Sequence, residues 1–131
     1  MNETIQGIAG EDLSSSQYLV VYADGGDSER LKVAGAAGNA TVVGVLLNKP
    51  ADEEVCEVCM SGFAPGIAGG ALEPFDVLTT DAAGKFVPAT TQDDYRLGQY
   101  VPPLENGAYV DAAAGDKIRV LLFGNKLTQT P

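Results

Sequence analysis

Lys117-Ile118-Arg119-Val120-Leu121-Leu122-Phe123 is the stretch that decides the fold class. Ile118, Val120 and Leu122 share one face, with Lys117 and Arg119 opposite, which is the alternation of a strand buried on one side and wet on the other. Working back from it, Val77-Leu78-Thr79-Thr80 and Lys85-Phe86-Val87-Pro88 flank Asp81-Ala82-Ala83-Gly84. That is a hairpin turn with glycine at its left-handed position. Leu97 to Val101 and Ala108 to Val110 read as a further pair joined through Asn106-Gly107, with Pro102-Pro103 holding the first of them at an edge. Glu54 to Ser61 is another strand, while Gly62 to Gly70 is too broken for regular pairing throughout.

Earlier still, Tyr18-Leu19-Val20-Val21-Tyr22 is apolar on both faces and rich in strand formers. Asp24-Gly25-Gly26-Asp27 turns it into Arg30-Leu31-Lys32-Val33, and a small-residue loop, Ala34 to Ala40, follows. Thr41 to Leu47 is a third strand, bent at Gly44 and closed by the turn chemistry of Asn48 to Asp52. No amphipathic helix longer than a turn or two is visible. The expected fold is all-β, a small β-barrel or β-sandwich of short strands with an extended N-terminal arm. The arm is residues 1–17, the β-rich domain 18–124, and 125–131 a short, loose, polar tail.

The chain has 131 residues, enough for one domain with a real core. Eight Lys and Arg against 18 Asp and Glu leave a net charge of −10, and His and Trp are absent. Such acidity repels phosphate backbones and anionic lipid surfaces, so neither nucleic acid nor membrane is an expected partner. Without His, the commonest general base and metal ligand is missing. Met1-Asn2-Glu3-Thr4 has no basic stretch leading into an apolar one, so an origin in a cytoplasm is expected.

Few constellations offer chemistry. Cys56-Glu57-Val58-Cys59 has redox or zinc spacing, but Val55, Val58 and Met60 place it on a strand, where residues three apart face opposite ways. Their Cα atoms would stand ~10 Å apart, too far for a disulfide. Zinc would need two more ligands, and no further Cys and no His exist. Asp24 to Glu29 lacks the spacing of a calcium loop. Gly66 to Gly70 has no Gly-Lys-Ser/Thr to make it a phosphate loop. Glu53-Glu54 and Asp93-Asp94 read as solvated surface charge rather than a catalytic pair. No catalytic residue, cofactor or metal is expected, and the protein is not expected to be an enzyme.

Ser61-Gly62-Phe63-Ala64, then Ile67-Ala68-Gly69-Gly70, then Asp76 to Ala89 form one ordered series. Val43-Gly44-Val45-Leu46 precedes it and Ala114 to Leu122 follows. In this order the segments resemble the capsid decoration, or cement, proteins of tailed phages, and the likeness runs from Tyr18 to Phe123. Phe75 departs from it, standing where glycine is frequent, and Tyr100 to Asp111 is longer than usual. The resemblance implies a β-rich virion protein on the outer capsid surface, commonly a homotrimer near local threefold axes. Its implied partner is the major capsid protein, whose subunits it would cement against the pressure of packaged DNA. A carbohydrate-binding module, or an oligomeric subunit of a bacterial enzyme or shell, is the alternative.

Two sets of residues are candidates for contact. In the arm, Ile5, Ile8 and Leu13 are spaced like anchors for a groove on the capsid, and Glu3, Glu11 and Asp12 would meet basic capsid residues. A frayed terminus is the competing reading. Phe63, Ile67, Phe75 and Phe86 lie in the motif region and are candidates for either core or trimer contacts.

Overall fold

A computed structural model describes residues 2–33, 42–90 and 95–128, with side chains as far as 123. The loop Ala34 to Ala40 and the pair Asp93-Asp94 lie outside the described residues. Among those described, the regular structure is strand, in the order β1 (Glu3–Ile8), β2 (Val20–Asp24), β3 (Arg30–Val33), β4 (Val42–Leu46), β5 (Val55–Ile67), β6 (Val77–Thr80), β7 (Phe86–Pro88), β8 (Tyr95–Tyr100), β9 (Leu104–Glu105), β10 (Ala108–Tyr109) and β11 (Lys117–Thr128). A single turn of 3-10 helix, Gly25–Asp27, joins β2 to β3.

The main sheet runs β3-β2-β4-β5-β11-β8-β6-β7, with β1 added to β5, and every pairing is antiparallel. Its hinge is β5. Up to Ser61 this strand pairs with β1 and β4; from Gly62 onward it pairs with β11. Gly62 has φ +90°, open to glycine at little cost, and the strand bends there. The expectation that Gly62 to Gly70 is too broken for regular pairing throughout is corrected for Gly62 to Ile67 and holds for the last three residues. Gly62 redirects the strand without ending it, and pairing continues to Ile67.

The bend also exchanges the faces of β5 and so separates two cores. Before it, Cys56 and Val58 point into a small core with Ala9, Leu13, Val21, Leu31 and Leu46. Cys59 faces the other way, into a larger core. After the bend, Ala64 joins that larger core with Leu72, Leu78, Phe86, Tyr100, Ile118, Val120 and Leu122. Phe86 is fully enclosed there, its ring against the backbone of Gly66, where any Cβ would collide with it. Burial of a side chain this size contributes roughly 1.5–3 kcal/mol.

Around the smaller core the first half of the sheet curls, and Ala9, just past β1, bridges Leu31 of β3. The Gly10 N–H donates to the Leu31 carbonyl at 2.9 Å, and the Glu53 N–H to that of Ala9 at 2.9 Å. Within the expected arm, residues 2–17 are thus built into the fold rather than left waiting for a partner. β1 completes this half of the sheet, and Leu13 is 0% exposed at its core. Its sparse apolar residues suggest an arm in the sequence because an edge strand can share a core supplied by its neighbours.

Three further expectations change. Asn106 and Gly107 do form a tight turn, with φ +50° and +79°, but it joins β9 to β10 in a separate small ribbon. β8 pairs instead with β11 and β6, so it is an interior strand. Pro102-Pro103 follows its last residue and removes no donor from its ladder. The tail is paired as far as it is described, since Leu127 and Thr128 of β11 lie opposite Arg96 and Tyr95. The Asp81 hairpin forms as expected, with Gly84 at φ +74° and the Asp81 carboxylate accepting from Ala83 and Lys85 N–H.

Candidate interaction surface

The alternation along β11 that buries Ile118, Val120 and Leu122 turns Arg119, Leu121 and Phe123 outward. The register places Phe63 opposite Leu121 and Pro65 opposite Arg119, so the same outer face receives Phe63 and Pro65 from β5. Phe63 is held there from its free side. Its N–H donates to Asn2 Oδ1 at 2.9 Å, and its carbonyl accepts from Asn2 Nδ2 at 2.7 Å, one side-chain amide standing in for a strand. The Arg119 guanidinium lies 4.2 Å from the Phe63 ring centroid, and the Lys117 ammonium 4.4 Å from that of Tyr18. Both cations rest on aromatic faces, whose negative quadrupole attracts them.

Beside this face lies a groove of about 710 Å³, lined by Phe63, Pro65, Pro102, Val110, Asp111 and Ile118 among others. Tyr100 closes its floor, donating its hydroxyl to the Val110 carbonyl at 2.8 Å. Burial, then the nearby Asp111 and Asp116 carboxylates, push the Tyr100 phenol above its ordinary pKa. Beyond the groove stands the β9–β10 ribbon. Leu104 and Tyr109 are directly opposite across it, so both project from one face, and Leu104 is 63% exposed. Phe75 meets Tyr109 edge to face at 5.0 Å, which is favourable ring geometry. Phase space for Phe75 is restricted, with φ +65°, and its carbonyl accepts from Gln99 Nε2 at 2.9 Å.

The expected contact residues divide sharply. Phe86 is core, Ile67 is half-buried, and Phe63 and Phe75 are exposed. In β1, Ile5 and Ile8 are exposed on opposite faces of the strand rather than aligned as anchors, and Leu13 is inaccessible. Glu3 accepts from the Ser61 hydroxyl at 3.0 Å and Glu11 from the Val33 N–H at 3.0 Å. Asp12 accepts from the Ser14 N–H at 3.0 Å, and its bonds to the Ser14 side chain and backbone hold its carboxyl below the usual range. These acids are engaged within the chain. Sequence reasoning missed Leu104, Tyr109, Arg119 and Phe123 as a surface. The signal for the first two was present, because the Asn106-Gly107 turn fixes them as cross-strand partners.

Both cysteines are buried, one in each core, with thiols pushed above their ordinary pKa by desolvation. Among the described residues no three His, Cys, Asp or Glu side chains converge as metal ligands.

No protein-family model matches this chain, and no curated protein sequence matches it either. Among solved structures it is similar to the N base of head fiber gp8.5 of bacteriophage phi29, with a TM-score of 0.68 at 19% identity. The match covers 97% of this chain and 98% of that one, so the two share a fold from end to end.

Proposed function

We propose that this protein is a structural component of a phage head, attached to the outer capsid surface, where it cements major capsid protein subunits as a homotrimer. The observation that supports the reading is the end-to-end match to a phage head fiber base. The order of segments that resembles decoration proteins agrees with it. So does an acidity unsuited to the genome side of a shell.

For the capsid contact we assign the outer edge of β1. Among the described residues Glu3–Ile8 is laddered only to β5, and its other edge meets β3 just beyond the strand, at Ala9 and Leu31, so the backbone row toward Glu3 is left without a ladder. Ile5, Ile8 and the adjoining Val55 are exposed around it. An extended segment of a capsid subunit can add to such an edge, taking ladder hydrogen bonds while its side chains meet these residues. The test is sedimentation of the purified protein with phage heads stripped of it, followed by thermal release of DNA from bare and decorated heads. Saturable binding and a raised release temperature are expected. No binding, or binding to glycans in place of heads, would overturn the reading.

A further inference from the structure

Apart from Ile5, Ile8 and Val55 around β1, the outward-facing apolar residues with half-buried Leu121 form two patches of opposite electrical character. In the first, Phe63, Leu121 and Phe123 lie with Arg119 and Lys117, whose charges rest on rings. The ion pairs among the described residues are elsewhere, at Arg30–Glu53, Lys32–Asp24 and Lys32–Asp27. The second patch is Phe75, Leu104 and Tyr109, and its sequence neighbours are Glu73, Asp76 and Glu105, all without an ion pair among the described residues. The groove lies between them, lined by Phe63 and Arg119 on one side and by Pro103 and Val110, which flank the ribbon, on the other.

We infer that these patches bind each other between copies of the chain, head to tail, the Phe75–Leu104–Tyr109 patch of one copy covering the Phe63–Leu121–Phe123 patch of the next. The inference deepens the homotrimer part of the proposed function and rests on it. Charge complementarity selects the occupant. A cation lifted onto an aromatic ring is free to meet a carboxylate, and in a chain of net charge −10 a second copy brings an acidic rim to an apolar centre of matching kind. A contact between two different patches is heterologous, and it closes into a ring when the rotation permits.

Analytical ultracentrifugation of the purified protein without capsids tests this. The wild type should sediment as a closed trimer. Arg119→Glu and Glu105→Arg, each on an exposed side chain, should each weaken association by about tenfold or more. The double exchange, Arg119→Glu with Glu105→Arg, should recover it, which loss of folding cannot mimic. Phe123→Ser should weaken association with an unchanged melting temperature of the monomer. A wild-type trimer indifferent to all these changes would overturn the inference and leave the trimer standing. A wild type that is monomeric at every concentration would overturn both, while attachment to heads is decided separately by the sedimentation assay above.

Discussion

The two halves of the sheet spend their charges differently. In the half built from β1 to β4, Arg30 and Lys32 are neutralised by Glu53, Asp24 and Asp27, and the apolar residues close around a small core. In the half built from β6 to β11, Arg119 and Lys117 sit on rings, and Phe75, Leu104, Tyr109 and Phe123 stand in solvent. The first half pairs these two cations within the chain, though it leaves Ile5, Ile8 and Val55 exposed; the second leaves its aromatic area and the charges of Arg119 and Lys117 on the surface. Large exposed apolar patches mark surfaces of association. The difference assigns stability to both cores and the proposed contact between copies to the second half, while the first half offers the edge of β1 with Ile5, Ile8 and Val55.

The comparison predicts that both cores are essential, the larger one more so. Phe86→Ala should destabilise by about 3–5 kcal/mol and Leu13→Ala by about 2–5 kcal/mol, measured by urea unfolding. Exposed Phe63→Ser should change stability by about 1 kcal/mol at most, the order of an exposed cation–π contact. If Leu13→Ala behaves like Phe63→Ser, the N-terminal segment is not built into the fold and the comparison breaks.

Cys56 sharpens the contrast within β5, because its thiol faces the smaller core with no hydrogen bond among the described residues, whereas the Cys59 thiol donates to the Ser61 carbonyl at 3.3 Å. Cys56→Ser should cost about 1–3 kcal/mol, the penalty of an unpaired buried hydroxyl. Cys59→Ser should cost less, since that carbonyl can accept from the new hydroxyl. Native-state thiol labelling should be slow at both, because burial shields each thiol and raises its pKa.

The smallest effect concerns the β2–β3 turn. The Lys32 ammonium, 2.9 Å from Asp24 Oδ2, and the Gly26 N–H lower the Asp24 pKa, while Asp24 raises that of Lys32. The Asp24 contribution is therefore present above its unfolded pKa of about 3.9 and is lost as pH falls through the lower folded value. That of Lys32 is present below about 10.4 and is lost as pH rises through the higher folded value. Lys32→Met should lower the melting temperature slightly at neutral pH, and the difference from wild type should vanish in strong acid.

Much of the fold was legible where one residue type admits one reading. The alternation of 117–123, the turn at Gly84 and the opposed faces of Cys56 and Cys59 are each visible in sequence and present in the structure. What failed was long-range. Gly62 reads as a breaker until β11 is seen to pair across it, and β8 reads as an edge until β6 and β11 flank it. The surface was half legible. Phe63 and Phe75 stood out as aromatics, but nothing local distinguishes them from the enclosed Phe86, whose burial depends on the space above Gly66.

The bend in β5 also has a kinetic consequence. Because this central strand pairs with Glu3–Ile8 in its first half and with Lys117–Leu122 in its second, its neighbours are separated from it by most of the sequence on either side. Loop closure must precede both ladders, so contact order is high and folding belongs to the slow regime, on the order of milliseconds to seconds. On a ribosome the larger core cannot form until β11 has emerged. Until then β5 and β8 present open edges, and the nascent chain passes through an interval in which premature pairing with a neighbour competes with its own closure.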